Sequence, residues 1–380
     1  MPFIALCMSN NISLVDWSNN GQIHREKIYF EEFLKIGYKM KVITYGEERD
    51  LKVLNSEIKV IPLYYLIKRN KNKLINFFLH FRRLNIYKES ISKLDLIKTN
   101  QLSSSLLAIL IYFIFKKKIL LRIGFEPLMN YEIMHSNNAL KKSNLRTKMY
   151  KFKMFFLGLI SYNICSHIIC TSKMQKDFLI KKFLLKKKKI SIIPNWIDTK
   201  LFSPLKVKEK KNGVLYIGRL ELEKNPLILI KAMAGINQKL TLIGSGNLRS
   251  EILELAQRNR VDIEIINPIP NNKLVSYYRK CKIYVIPSFY EGNPKTLLEA
   301  MSCGCTVIGN NVVGIREIIN NERGIIFSNI NELRNAIISL LDDPNEANTF
   351  GKKARKYIEK NNHINLCLKK EVKLISQLIN

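Results

Sequence analysis

At 380 residues the chain is well beyond the length at which one hydrophobic core gives way to two, so two units of roughly 190 residues are expected. Hydrophobic residues at 47% and charged residues at 25% exclude a disordered chain, and Gly 16 with Pro 11 excludes a collagen-like or linker-rich design. Lys and Arg number 63 against 31 Asp and Glu, a net charge of +32, and the excess is uneven: residues 1–200 hold 36 basic and 14 acidic side chains, residues 201–380 hold 27 and 17. Such a field calls for an anionic partner, whether nucleic acid, anionic lipid or a phosphorylated substrate. The alternative is AT-rich coding, which the abundance of Ile, Asn and Lys would equally reflect.

The seven cysteines, Cys7, Cys165, Cys170, Cys281, Cys303, Cys305 and Cys367, are odd in number and scattered, with no facing CxxC pairs. A reducing cytosolic setting and thiols used for packing are the simplest reading. The opening MPFIALCMSNN lacks the basic start and long apolar run of a secretory signal. The apolar run from Leu106 to Phe115 ends in three lysines and is far short of the ~20 residues that span a bilayer. No membrane crossing is expected.

Phe3 to Cys7 is a short apolar run, Asn19-Asn20-Gly21 is a turn signal, and Phe30, Phe33 and Leu34 fall at helical spacing before Lys41 to Tyr45 resumes as strand. Strand, helix and strand follow at 95–97, 103–115 and 119–123. Buried apolar strands alternating with helices predict parallel βαβ units. Residues 141–189 hold 14 Lys or Arg and one acid, Asp177, and Lys151 to Leu157 mixes cations with large apolar groups. That stretch suits an anionic leaflet, where each nearby cation is worth about 1 kcal/mol; the alternative is a domain helix whose apolar face is core. Ile190 to Ile193 is a strand ended by Pro194-Asn195, and the polar run Lys206 to Asn212 is the linker candidate. A second βαβ series has strands at 214–218, 240–244, 263–266, 283–286 and 306–309, and Pro344 to Leu378 is helical and basic. The predicted fold is α/β: two Rossmann-like, doubly wound parallel-sheet domains, 1–200 and 201–360, facing across a cleft, with a C-terminal helix in 361–380 packing back on the first. Ligands are expected at the carboxyl ends of the strands.

The chemistry-bearing clusters lie at strand ends of the second domain. Gly218-Arg219 to Lys224-Asn225-Pro226 places two cations past a strand and before a helix that Pro226 can start, suited to a phosphate pair. Gly244-Ser245-Gly246 is a glycine turn that permits close backbone approach; Arg249 breaks the GxGxxG pattern and argues against a nicotinamide cofactor. In Glu291-Gly292-Asn293-Pro294-Lys295-Thr296-Leu297-Leu298-Glu299, Asn293 is expected to cap a helix with Pro294 at its first position and Gly304 at its end. That helix N-terminus faces the cleft, with Glu291 at its mouth and Glu299 on the face of Lys295.

This last pattern resembles the donor-site signature of the family-4 retaining glycosyltransferases of the GT-B fold. IGRLELEK at 217–224, IGSGNLRSEI at 243–252, YRKCKIYVIPS at 278–288, IIPNWIDTKLFSP at 192–204 and IICTSKMQKDFL at 168–179 are similar to other segments of that family. The resemblance is close over 165–330 and architectural before it. It implies a nucleotide-diphosphate-sugar donor, UDP- or GDP-linked, and no cofactor or metal. It assigns Arg219 and Lys224 to the diphosphate and leaving group, Glu299 to the ribose hydroxyls and Glu291 to the transferred sugar, making Glu291, Arg219 and Lys224 the catalytic set. The donor contacts it implies further include Gly21, Gly218, Gly244, Gly246, Gly292, Asn293, Pro294, Lys295, Thr296 and Leu297. Many members carry a first-domain histidine near Arg122-Ile123-Gly124-Phe125-Glu126; this chain has none there. Arg122 and Glu126 are the acceptor-site candidates, with a structural role equally open for Glu126, and His24 reads as an ordinary helix-start histidine.

The implied reaction is transfer of a hexose or N-acetylhexosamine to a glycan or lipid-linked acceptor hydroxyl in cell-surface polysaccharide or lipopolysaccharide synthesis. The site would be peripheral, on the cytoplasmic face of the inner membrane, with an anionic membrane surface as a partner. A sugar-nucleotide epimerase of the same fold is an alternative. A basic nucleic-acid-binding protein is another, but no recognised module accompanies the charge, and no specific nucleic acid is expected.

Overall fold

The computed structural model describes residues 2–136, 145–205 and 212–379. The first half runs β1 (Phe3–Cys7), α1 (Leu14–Asn19), α2 (Ile23–Lys35), β2 (Lys39–Thr44), β3 (Lys59–Pro62), α3 (Lys73–Ile86), α4 (Lys88–Ser92) and β4 (Leu96–Thr99). It continues with α5 (Ser105–Phe115), β5 (Lys118–Ile123), α6 (Pro127–Ser136), α7 (Leu145–Ile164), β6 (His167–Cys170), α8 (Lys173–Phe183) and β7 (Ile190–Ile192). The second half runs β8 (Asn212–Ile217), α9 (Pro226–Met233), β9 (Leu240–Ile243), α10 (Arg249–Arg258), β10 (Ile263–Ile266), α11 (Leu274–Lys280) and β11 (Cys281–Ile286). It closes with α12 (Lys295–Ser302), β12 (Thr306–Asn310), α13 (Val313–Arg316), β13 (Ile325–Phe327), α14 (Ile330–Asp342), α15 (Pro344–Asn361) and α16 (Ile364–Ile379).

The strands form two parallel sheets, ordered β3-β2-β1-β4-β5-β6-β7 and β10-β9-β8-β11-β12-β13. Strand order reverses beside β1 and beside β8, the positions where a doubly wound sheet opens a crevice at its carboxyl ends. Of the linker candidate, residues 206–211 lie outside the described residues and Asn212 already opens β8; residues 141–144 of the basic stretch also lie outside them.

Each sheet buries both faces, which is why its strands read as apolar runs rather than alternations. On one face of the first sheet Leu84, Leu107, Ile111, Tyr162 and Leu179 pack from α3, α5, α7 and α8. On the other, Phe30 and Phe33 of α2 meet Cys367, Leu368 and Ile375 of α16. The last helix therefore returns to the first sheet. The two crossings between domains pair with each other: Ile197 N–H donates to the Asn362 carbonyl at 2.8 Å, and Ile364 N–H donates to that of Ile197 at 3.1 Å. All seven cysteines are buried, Cys303 and Cys305 within the second core. No helix among the described residues is long and apolar enough to cross a membrane.

A buried charged cluster anchors α16. Glu371 accepts from the Tyr29 hydroxyl at 2.6 Å, is ion-paired with Lys98 of β4, and faces the Arg122 guanidinium at 3.6 Å. Burial alone would push the Glu371 carboxyl up, but Lys98 and Arg122 outweigh it and hold it below the usual carboxylate range.

Candidate active site in the cleft between the two domains

The second-domain clusters converge because β8, β9, β11 and β12 are parallel neighbours whose following loops all emerge at one edge. Arg219 leaves β8, with the Tyr216 hydroxyl donating to its carbonyl at 2.7 Å. Gly244 and Gly246 follow β9. A Cβ on Gly244 would lie 1.9 Å from the Gly218 carbonyl oxygen, and one on Gly246 would lie 2.3 Å from that of Leu220. The two glycines thus seat one loop against the other, a packing requirement met before any ligand arrives. Gly314 does the same beneath the loop after β11, where a Cβ would lie 1.8 Å from the Glu291 carbonyl oxygen.

Pro226 occupies the first turn of α9, as the sequence implies. The cap of α12 differs from expectation. Pro294 is the residue at the helix cap, and the Asn293 side chain instead accepts from Asn195 N–H at 2.8 Å, while the Asn293 carbonyl accepts from the Asn195 amide at 2.7 Å. Asn293 thereby ties the loop after β11 to the interdomain crossing. Gly292 meets the first domain directly: a Cβ there would lie 2.7 Å from the Gln175 amide nitrogen and 3.1 Å from the Gly124 carbonyl oxygen.

At the centre is a cavity of about 240 Å³ lined by Arg25, Tyr216, Ile217, Gly218, Arg219, Lys224, Ile286, Ser288, Glu291, Pro294, Lys295 and Thr296. Its charges are already matched. Lys224 Nζ lies 2.7 Å from Glu291 Oε1, Arg219 pairs with Glu223, Lys295 Nζ lies 3.7 Å from Glu26 Oε1, and Arg25 lies 3.2 Å from Glu299 Oε1. Glu299 is 1% exposed, and also accepts from the Asn271 amide at 2.9 Å and the Tyr278 hydroxyl at 3.0 Å. Burial in the cleft pushes the Lys295 ammonium down to about 7, with Arg25 adding to the effect. Four cations, each paired with a carboxylate, at a helix N-terminus suit an anion that carries hydroxyl groups.

The other expected residues are distributed differently. Gly21, at φ +68°, sits against the second domain, its Cβ position 2.8 Å from the Pro270 Cα. Leu297 is wholly buried in the second core. Arg122 is committed to Glu371 and to the Asn195 side-chain oxygen at 3.2 Å, on the interdomain crossing. Of the two roles open to Glu126, the geometry serves the structural one: it is buried, accepts from Met129 N–H at 2.6 Å and from the Tyr162 hydroxyl at 3.0 Å, and burial pushes its carboxyl up to about 7. His24 is exposed. Arg25 and Glu26 beside it, which no local pattern distinguished, reach across the cleft to Glu299 and Lys295.

Two family models tile the chain: Glycosyltransferase Family 4 over residues 30–201 and Glycosyl transferases group 1 over residues 198–357. The chain belongs to this glycosyltransferase family. Among curated relatives, the Campylobacter jejuni enzyme named N-acetylgalactosamine-N,N'-diacetylbacillosaminyl-diphospho-undecaprenol 4-alpha-N-acetylgalactosaminyltransferase is 28% identical over 179 residues, 44% of this chain and 48% of its own. An Escherichia coli UDP-Gal:alpha-D-GlcNAc-diphosphoundecaprenol alpha-1,3-galactosyltransferase is 28% identical over 180 residues, 41% of this chain and 46% of its own. The chain thus spans about half the length of these two relatives. Sucrose-phosphate synthase from Thermosynechococcus elongatus superposes with a TM-score of 0.79 at 22% identity, covering 100% of this chain and 99% of its own. Anabaena HepE in complex with UDP-glucose superposes with a TM-score of 0.74 at 16% identity, covering 99% and 100%. At these identities the likeness speaks for the fold alone, GT-B, which both of these structures and this chain share.

Proposed function

We propose that this chain transfers a hexose or N-acetylhexosamine from a nucleotide-diphosphate donor to a hydroxyl of a glycan or lipid-linked acceptor, with retained anomeric configuration. The observation that carries the reading is the convergence of Arg219, Lys224, Glu291 and Lys295 on one cavity at the N-terminus of α12. In the reaction the bond from the sugar C1 to the diphosphate breaks, the acceptor oxygen bonds to C1, and the acceptor proton is released. Charge develops on the departing diphosphate, where Arg219, Lys224 and the α12 N–H groups are oriented beforehand. Glu291 faces the transferred sugar and balances its oxocarbenium-like centre, and Glu299 receives the ribose.

A lipid-linked acceptor is supported by the relatives, whose names place their sugars on diphospho-undecaprenol. Peripheral attachment to an anionic bilayer, at its cytoplasmic face, is supported by the outer side of the first domain. Helices α3, α5 and α7 contain no Asp or Glu and share one core beneath them, while Phe78, Phe113 and Phe152 stand 66%, 55% and 65% exposed above it. Cations around exposed aromatics fit an interface of phosphate headgroups over acyl chains.

The test is incubation with UDP-, GDP- and ADP-sugars and a polyprenyl-diphosphate-linked sugar, with the anomeric configuration of the product read by NMR. Transfer with the donor's configuration is expected. An inverted product would overturn retention, and conversion of the donor sugar without any acceptor would assign the cleft to epimerisation.

A further inference from the structure

Arg25 occupies a place that neither the sequence pattern nor the reaction accounts for. Among the residues lining the central cavity it alone comes from the first domain. It projects from the first turn of α2, four residues beyond Gly21, whose turn is pressed against Pro270. This seating brings the guanidinium across the cleft to Glu299, 274 positions along the chain. The contact lies at the wall between the cavity and the pocket of Asn271 and Trp196, and Arg25 lines both. Its side chain remains 22% exposed, whereas Glu299 is 1% exposed. The arginine can therefore swing while the carboxylate is held in place by Asn271 and Tyr278.

Resting on the donor-site reading above, we propose that Arg25 is a donor-responsive residue: it holds Glu299 in the empty cleft, yields it to the ribose hydroxyls, and turns its charge onto the donor diphosphate. The two halves of the donor then meet Arg25 with opposite effect. A nucleoside must displace the guanidinium from Glu299 and offers it nothing in return. A nucleoside diphosphate displaces it and supplies an anion within the same cavity, where Lys224 and Lys295 already face. The device makes the cleft select for nucleotides that carry the diphosphate and reject free nucleosides, although both present the same ribose. It acts by a charged group that changes partner, since each state leaves the guanidinium paired.

The experiment is calorimetric titration of wild type, Arg25→Ala and Arg25→Gln with UDP, GDP and ADP and with uridine, guanosine and adenosine. Thermal melting alongside verifies that the variants are folded, and Arg25→Gln retains an amide that can still donate to Glu299. For the base that the wild type binds, Arg25→Ala should weaken diphosphate binding by about tenfold or more and strengthen nucleoside binding by up to about tenfold. Arg25→Gln should weaken the diphosphate while leaving the nucleoside near wild type. Diphosphate affinity unchanged in both variants would overturn the proposal, as would diphosphate and nucleoside weakening together, which is the mark of a structural role. If nucleosides are too weak to register in every protein, the diphosphate titrations decide alone. A wild type that binds none of the diphosphates would instead overturn the donor-site reading, and the role of Arg25 with it.

Discussion

Lys295 offers the sharpest link between the geometry of the cleft and a number that can be measured. Its ammonium is pushed down to about 7 by burial, with Arg25 and Arg122 opposing its charge and Glu26 and Glu299 favouring it. In the empty protein at pH 8, about one lysine in ten is then protonated at this position. A bound donor brings its diphosphate into the cavity that Lys295 lines and favours the charged form, returning the group toward ordinary lysine behaviour. Binding at pH 8 should therefore take up about 0.9 proton, falling to about 0.5 at pH 7 and about 0.1 at pH 6. The sign follows directly: the free group is depressed and the bound group is not, so affinity is level below about pH 6.5 and falls nearly tenfold per unit above about pH 7.5. A nucleotide sugar suits the assay because its diphosphate is esterified at both ends and does not titrate in this range. Titration calorimetry in buffers of different ionisation enthalpy measures the uptake, with Lys295→Met as the comparison. Uptake that is absent in wild type, or that persists undiminished in Lys295→Met, would refute the reasoning.

Lys224→Ala should cost more than Arg219→Ala in kcat/KM, about 2–3 kcal/mol against about 1, because Lys224 is largely enclosed beside Glu291 while Arg219 is 63% exposed and held by Glu223. Donor-saturation kinetics decide, and equal losses would contradict the ranking. Glu371→Ala should destabilise the chain by about 3–5 kcal/mol, since it strands Lys98 without its carboxylate in the interior. Chemical denaturation measures this, and a loss below about 1 kcal/mol would remove the cluster as the anchor of α16. Replacing Phe152 and Phe156 together by Ser should lower binding to vesicles rich in anionic lipid without altering turnover of a soluble acceptor. Sedimentation with vesicles tests it, and undiminished binding would move the membrane contact elsewhere.

Much of the fold was legible because parallel strands buried on both faces leave continuous apolar runs; β1, β5, β8, β9 and β11 all announce themselves in this way. Shorter strands did not. In β3 only Ile61 and Pro62 are buried, and β13 has three residues, so neither stands out from surrounding loop. The Ser13–Asp16 capping box is the local signal that marks α1, which no expectation covered. The cap of α12 was assigned from local chemistry, which could not anticipate a partner for Asn293 that lies 98 positions away.

The candidate site divides along the same line. The second-domain cluster is dense in sequence, with Glu291 to Glu299 in a single segment, and Arg219, Lys224, Glu291, Lys295 and Thr296 line one cavity while Glu299 is buried behind it. Arg25 was invisible because nothing local separates it from the other 62 basic residues; its importance appears only when Gly21 packs on Pro270 and swings α2 over the cleft. The same tertiary arrangement turns Arg122 toward Glu371 and the interdomain crossing. An acceptor role drawn from its neighbourhood in sequence therefore finds its guanidinium already engaged.

The central claim is that the cleft binds a nucleotide-sugar donor through the Arg219, Lys224, Glu291 and Glu299 constellation. Its most direct test is a calorimetric and thermal-shift screen of the purified chain against UDP-, GDP- and ADP-sugars, with Glu299→Gln alongside to remove the ribose-facing charge while preserving the packing of α12. The account predicts stabilisation by one donor class, weakened by about tenfold or more in the variant. Equal binding by wild type and variant, or no binding by any donor, would contradict it.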